Sequence, residues 1–207
     1  MPDLSLEQQS PKTVIGIDEA GRGPWAGPVT VAAFWINPDR YDDLPDGLDD
    51  SKTLSATKRA RIFDELQAGP HQFAIISVDV PQIDHLGVLQ ATLFGMRQSA
   101  TRLMAKLNQP AKDIMALVDG NISPRLDCEE QVIIKGDSRS CSIAAASIMA
   151  KETRDHIMIA LAAHYPSYGW DRNKGYGTAH HQLALQQAGI TQHHRRSFAP
   201  IKALLPG

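Results

Sequence analysis

An unbroken apolar run that ends on two adjacent carboxylates is the feature that most constrains this chain. Residues 13–19 read Thr-Val-Ile-Gly-Ile-Asp-Glu. A continuous β-branched stretch of that length is the pattern of a strand buried on both faces. A Gly/Pro-rich turn follows from Ala20 to Pro28, and Val29-Thr-Val-Ala-Ala-Phe-Trp-Ile then predicts a second strand, returning as a hairpin. The fold must therefore hold two acids at the end of a buried strand, and buried charge is costly unless a cation pairs with it. A hard divalent ion would meet that need. Neighbouring side chains of a regular strand point to opposite faces, so Asp18 and Glu19 serve one site only if the strand stops at Glu19; Gly21 and Gly23 supply such a break. The competing reading is an acidic turn with Arg22 as local salt-bridge partner. A dinucleotide-binding loop is excluded, because the glycine spacing is wrong and a strand rather than a helix follows.

The rest of the chain alternates strands with helices. The acidic segment 37–50 is a loop, and Ser55 is placed to cap a helix reaching about Gln67. Residues 73–80 predict a third strand. Leu86, Leu89, Leu93, Met96, Leu103 and Leu107 recur at helical spacing and predict one helix over 83–107. Residues 114–119 and 131–135 predict a fourth and a fifth strand, Ser142 to His164 a long helix stopped before Pro166, and Ala179 to Gln187 a short one. This is the order of an α/β domain, with strands four and five arriving by crossovers that allow them to run parallel to the first. The expected layout is a loose lead-in over 1–12, the α/β domain over 13–165, and a helical, basic segment over 166–207 within the same compact unit.

Composition sets bounds on partners and compartment. With 207 residues, 43% of them hydrophobic, one domain can bury a core without disulfides. Cys128 and Cys141 are too few for a disulfide framework and lack zinc-site spacing. With neither a membrane-length apolar run nor a basic-then-apolar leader, the expectation is a soluble, cytoplasmic monomer. Charge is uneven: residues 1–130 carry 12 Lys and Arg against 19 Asp and Glu, while residues 131–207 carry 9 against 4 and six of the eight histidines. An acidic front that holds cations and a basic back that meets phosphates would produce this asymmetry, as would solvated faces without function.

Three further segments are candidates for chemistry. Asp119 stands at the end of the fourth strand, where sites of α/β sheets assemble; beside a parallel first strand it would meet Asp18, although an Asp-Gly turn is the competing reading. Asp155 lies on the long helix, whose small, apolar first half (Ser142-Ile-Ala-Ala-Ala-Ser) suits close packing on the sheet; a surface pair with Lys151 competes. Lys174-Gly-Tyr-Gly-Thr178, with Arg172, Arg195 and Arg196 nearby, offers an aromatic ring among glycines and cations, suited to stacking on a sugar or base. His193 and His194 read as part of this basic surface.

Taken in order, these segments resemble the bacterial ribonuclease HII family. The matching pieces are Gly16-Ile-Asp-Glu-Ala-Gly-Arg-Gly-Pro-Trp-Ala-Gly-Pro-Val, Asp50-Ser-Lys-Thr-Leu-Ser, Val118-Asp-Gly, Lys135-Gly-Asp, Ser142-Ile-Ala-Ala-Ala-Ser-Ile-Met-Ala-Lys with Thr153-Arg-Asp, Lys174-Gly-Tyr-Gly-Thr with His180, and His194-Arg-Arg-Ser-Phe-Ala-Pro. They cover almost all of residues 13–202. Trp25, where a smaller apolar residue is usual, and Glu152 are small departures. The resemblance implies an RNase H-like fold: a five-stranded mixed sheet flanked by helices, with a small helical C-terminal part. It implies four catalytic acids, mapped onto Asp18, Glu19, Asp119 and Asp155, the first three holding Mg²⁺ or Mn²⁺. It implies that Gly21, Arg22 and Gly23 read the ribose 2′-hydroxyl, that Tyr176 stacks under the next deoxyribose, and that Lys52 and Lys174 join them in binding substrate.

The expected activity is metal-dependent endonucleolytic hydrolysis of the RNA strand of RNA–DNA hybrids. It includes cutting 5′ to ribonucleotides embedded in duplex DNA, by two divalent ions, leaving 5′-phosphate and 3′-hydroxyl ends. Another nuclease on the same fold, acting on DNA, and a non-enzymatic nucleic-acid-binding module are the alternatives.

Overall fold

The computed structural model describes residues 1–205. In chain order the elements are α1 (Ser5–Gln9), β1 (Thr13–Ala20), β2 (Val29–Trp35), α2 (Ala56–Ala68), β3 (Gln72–Val78), α3 (Val80–Leu86), α4 (Val88–Leu107), β4 (Ile114–Asp119), β5 (Glu129–Ile133), α5 (Cys141–His164), α6 (Trp170–Asn173), α7 (Ala179–Ala188) and α8 (Ala199–Lys202). The strands form one mixed sheet in the order β3-β2-β1-β4-β5. β1 pairs antiparallel with β2, and β2 with β3. β1 pairs parallel with β4, and β4 with β5.

The apolar run of β1 is explained by its central place, with helices on both faces. On one face Ile15, Ile17, Val29 and Val31 pack with Leu93, Met96 and Leu103 of α4. On the other, Ala32 and Phe34 pack with Ile62 and Leu66 of α2 and with the alanines of α5. The approach of α5 to β1 is close enough to require a glycine: a Cβ on Gly16 would stand 2.2 Å from the backbone carbon of Ser142. Any side chain there would force the helix away from the sheet, and the acids beyond Gly16 would move with it.

The elements depart from the sequence reading in several places, among them α6 and α8 in the tail, where one short helix was expected. Residues 83–107 are not one helix: Gly87, at φ +78°, divides α3 from α4. The third strand ends at Val78, because Asp79 caps α3 by accepting from the Gln82 N–H and Pro81 enters its first turn. β1 does not stop at Glu19 but continues to Ala20, held by pairing with Thr30. β5 starts and ends two residues earlier, because Lys135 turns into the left-handed region at φ 55°. The lead-in contains α1, whose Glu7 carboxylate is buried at the start of α5, accepting from the Ser140 hydroxyl at 2.6 Å and the Ser142 N–H at 2.8 Å. That contact satisfies helix-terminal donors through tertiary structure, and no local periodicity announces it.

Candidate active site

Parallel pairing of β1 with β4 sets Ile17 beside Val118, so Asp18 and Asp119 emerge together at the same end of the sheet. A third carboxylate joins them from the turn after β5. Oxygens of Asp18, Asp119 and Asp137 all lie within 4.8 Å of one another. The turn that carries Asp137 is locked to its neighbour: the Gly136 N–H donates to Asp119 Oδ1 at 2.7 Å. Asp18 Oδ1 accepts from the Glu19 N–H at 2.6 Å, while its Oδ2 is buried with no hydrogen-bond partner. An orphaned, buried carboxylate oxygen among two other acids is a donor set suited to a hard divalent cation.

The electrostatics agree. Burial, then the nearby Glu19 and Asp119, hold the Asp18 carboxyl well above the usual aspartate range. Burial raises Glu19 against the opposing pull of Arg22, whose guanidinium lies 3.3 Å away. Burial, then Asp119 and Asp50, raise Asp137. Burial would depress Lys52, but Asp18, Asp137 and Asp50 outweigh it and raise its pKa; its ammonium lies 3.4 Å from Asp137 Oδ2. Each of these acids resists ionisation until positive charge is supplied.

Asp18 and Asp119 floor a cleft of about 250 Å³ that Glu19, the Gly21-Arg22-Gly23 loop, Lys52 and Tyr176 also line, with Asp137 beside them in the acid cluster. Glu19 reaches it although β1 runs on to Ala20, because pairing with β4 ends at Ile17 and leaves that edge of β1 open. Gly21 has φ +93°, and a Cβ there would lie 2.0 Å from Arg154 Nε, so its lack of a side chain is demanded by the protein's own packing. Gly23 faces the cleft, and a Cβ there would meet only Tyr176 Cε1, at 3.5 Å. Tyr176 is 49% exposed, with its ring free to meet a ligand.

Several residues stand elsewhere than the sequence suggested. Asp155 is buried but lies outside the acid cluster and the cleft lining. Its carboxylate is held by Lys151 at 2.7 Å and lies 3.8 Å from Arg59. Asp137, rather than Asp155, joins Asp18 and Asp119 in the cluster. The sequence signal was present: the Lys-Gly-Asp turn follows a strand parallel to β4 and must open at the same end of the sheet. Lys174 does not line the cleft; its ammonium meets the Asp171 carbonyl, while its own carbonyl accepts from Arg154.

Arg195 and His194 are not basic surface, since both are fully buried. Arg195 donates to the carbonyls of Gly21 at 2.6 Å, Arg22 and Gly27 at 2.9 Å, and Pro28 at 3.0 Å. Arg154 donates to Pro28 at 2.9 Å, Lys174 at 3.0 Å and Ala26 at 3.1 Å. Two guanidiniums thus fix the turn between β1 and β2 from beneath, filling their donors with carbonyls rather than carboxylates. Burial pushes Arg154 down to about 10, and burial with repulsion from Arg154 pushes Arg195 to about 9; both stay cationic at neutral pH.

Known proteins share this architecture and sequence. The ribonuclease HII of Rhodospirillum rubrum is 49% identical over 207 residues, covering 99% of this chain and 92% of that protein. That of Jannaschia sp. is 47% identical over 210 residues, covering 100% and 99%. The crystal structure of ribonuclease H2 from Pyrococcus horikoshii superposes with a TM-score of 0.70 at 26% identity, covering 93% of this chain and 96% of that one. Bst-RNase HIII, solved in complex with Mn²⁺, shares the fold at a TM-score of 0.75 and 19% identity, covering 96% and 71%. Residues 15–201 match the family model described as Ribonuclease HII, and with these full-length relatives the match establishes that the chain belongs to the ribonuclease HII family, a nuclease of the ribonuclease H class.

Proposed function

We propose that this enzyme cuts the RNA strand of RNA–DNA hybrids and the 5′ side of ribonucleotides embedded in duplex DNA, leaving 5′-phosphate and 3′-hydroxyl ends. The observation that carries the reading is the convergence of Asp18, Asp119 and Asp137 around an unpartnered Asp18 oxygen, beside the Gly21-Arg22-Gly23 loop and the Tyr176 ring. Asp18, Glu19, Asp119 and Asp137 would hold two divalent ions, Mg²⁺ or Mn²⁺. Bound there, such ions supply Lewis acidity, making a water acidic enough to attack and countering charge on the leaving oxygen.

The remaining work belongs to the chain. Buried, mutually repelling carboxylates resist ionisation by themselves and are poised to exchange their protons for cations. Backbone groups of the loop, unobstructed at Gly23, approach the sugar and hydrogen-bond its 2′-hydroxyl. A site built around that bond rejects deoxyribose by orders of magnitude. Tyr176 stacks against the following sugar and sets the scissile phosphate over the acids. Arg22, Lys52 and Lys151 bring positive charge to the phosphates at the cleft edge.

The test is cleavage of end-labelled duplex DNA carrying one ribonucleotide, with an all-DNA duplex beside it, in Mg²⁺, Mn²⁺ and EDTA. One metal-dependent cut 5′ to the ribonucleotide, absent from the control and from Asp119→Asn, is the expected result. Equal cutting of both duplexes would remove the substrate assignment.

A further inference from the structure

The histidines around Tyr176 carry an inference beyond the acids. His181 and His194 are both fully buried, in a cluster with Trp170 and Tyr168. Their ring nitrogens approach at 3.0 Å, Nε2 to Nε2. The partners at each end decide where the protons lie. His194 Nδ1 receives the Thr191 backbone N–H at 2.9 Å, a group that can only donate, so this nitrogen is bare and the ring proton sits on Nε2. That proton points at His181 Nε2, toward which the Trp170 indole N–H, also donor-only, is directed at 3.3 Å. His181 Nε2 is therefore bare as well, and its proton sits on Nδ1, 2.9 Å from the Tyr176 carbonyl oxygen, which can only accept. One assignment of tautomers satisfies every group in the chain.

We infer that His181 and His194 form a neutral, one-directional hydrogen-bond relay, from the Thr191 N–H to the Tyr176 carbonyl, whose task is to position Tyr176 against the substrate. This rests on the stacking role proposed above for Tyr176. The same carbonyl also accepts from the Thr178 N–H at 2.8 Å, and the Tyr176 N–H donates to Asn173, so the backbone behind the exposed ring is held from three sides. A proton added to His181 would point at two donors, Trp170 and His194, and one added to His194 would displace the Thr191 N–H from Nδ1, a nitrogen that the Thr191 hydroxyl also meets at 3.0 Å. Burial, with His181 as its neighbour, accordingly pushes His194 down to about 4, and burial lowers His181. His181 and His194 are thus positioning residues, and His194 is no part of the basic surface that its sequence neighbourhood suggested.

Two measurements on the full-length protein test the relay. Long-range ¹H–¹⁵N spectra of ¹⁵N-histidine-labelled enzyme at pH 7 should show His181 protonated on Nδ1 alone and His194 on Nε2 alone. The opposite tautomer, or a cationic ring, at either position would overturn the assignment. Kinetics on the single-ribonucleotide duplex then test its purpose. His181→Leu should lower kcat about tenfold or more with KM changed less than about twofold, since misplacement of a positioning group costs turnover. His181→Asn, whose amide N–H takes the place of Nδ1–H, should recover most of that loss. Equal behaviour of the Asn and Leu variants, or parallel losses in kcat and KM, would refute positioning. Should the Leu variant fail to fold, the Asn variant at wild-type kcat with the tautomers as assigned supports the relay, and a tenfold loss in it refutes it. Failure of the wild type to distinguish the ribonucleotide duplex from all-DNA would sink the substrate reading, while the spectra judge the relay on their own.

Discussion

Replacing Asp18 by Asn should abolish cleavage and make the metal-free protein more stable. Asp18 is 2% exposed, its Oδ2 has no partner, and Asp119 and Asp137 oxygens lie within 4.8 Å. A buried acceptor left unsatisfied costs about 1–3 kcal/mol, and like charges add to it. Asn keeps the oxygen that accepts from the Glu19 N–H and offers an N–H where the orphan stood, toward carboxylates able to accept it. For a chain of this length, about 1–3 kcal/mol corresponds to a rise of about 2–12 °C in Tm. Thermal unfolding in EDTA at pH 8 reads this directly. The pH dependence has a definite sign. Because the folded pKa of Asp18 lies above the ordinary value of 3.8, the folded state binds the proton more tightly, and wild-type stability falls as pH rises through the raised value. The advantage of the Asp18→Asn variant over wild type is therefore greatest above that value and shrinks as pH falls toward 3.8. With Mg²⁺ or Mn²⁺ at about 100 times Kd, the wild type gains about 2.7 kcal/mol by binding and the variant much less, so the gap closes or inverts. An Asp18→Asn variant no more stable than wild type in EDTA would refute the account of a frustrated acid cluster.

Other perturbations separate roles that the sequence alone left together. Asp137→Asn should lower kcat and Mn²⁺ affinity about 100-fold or more, whereas Asp155→Asn should lower stability by up to about 3 kcal/mol through loss of its Lys151 and Arg59 partners and cost less than tenfold in turnover; calorimetric Mn²⁺ titration with kinetics checks both, and the reverse ranking would return Asp155 to the metal site. Gly21→Ala should destabilise the fold as well as reduce cleavage, while Gly23→Ala should leave Tm unchanged and selectively reduce cutting at single ribonucleotides; wild-type activity in Gly23→Ala would mean that the backbone there does not approach the sugar. Arg195→Lys keeps the charge but loses the fork that grips four carbonyls, so stability should fall by about 2–4 kcal/mol; an unchanged denaturation midpoint would show that the loop is held by other contacts.

What was legible in the sequence follows how local each determinant is. The β1–β2 hairpin, the acids at the end of β1 and Asp119 at the end of β4 are written in short runs whose periodicity and turn residues suffice. The tight packing of α5 on the sheet suits an Asp155 that faces the cleft. Its burial comes from ion pairs with Lys151 and Arg59, however, and spacing along one helix does not show what a second helix brings. Asp137 sits in a turn without periodicity and gains meaning only once β5 is known to lie parallel beside β4. Arg195 and His194 look like surface cations because their partners lie in the turn between β1 and β2 and in α7, contacts that no local window contains.

The grip of Arg195 on the turn between β1 and β2 also sets an order of events during synthesis. Its partners Gly21 and Arg22 are 174 and 173 residues earlier in the chain. At about 5–20 residues per second, the Gly21 and Arg22 carbonyls wait roughly 9–35 s for the guanidinium that fixes them. Throughout that interval the hairpin, and later the whole sheet with its acids, can assemble while the segment assigned to the sugar remains unbraced. A nascent chain thus acquires its cluster of acids well before Arg195 arrives to fix the loop to which substrate choice is assigned in the proposal.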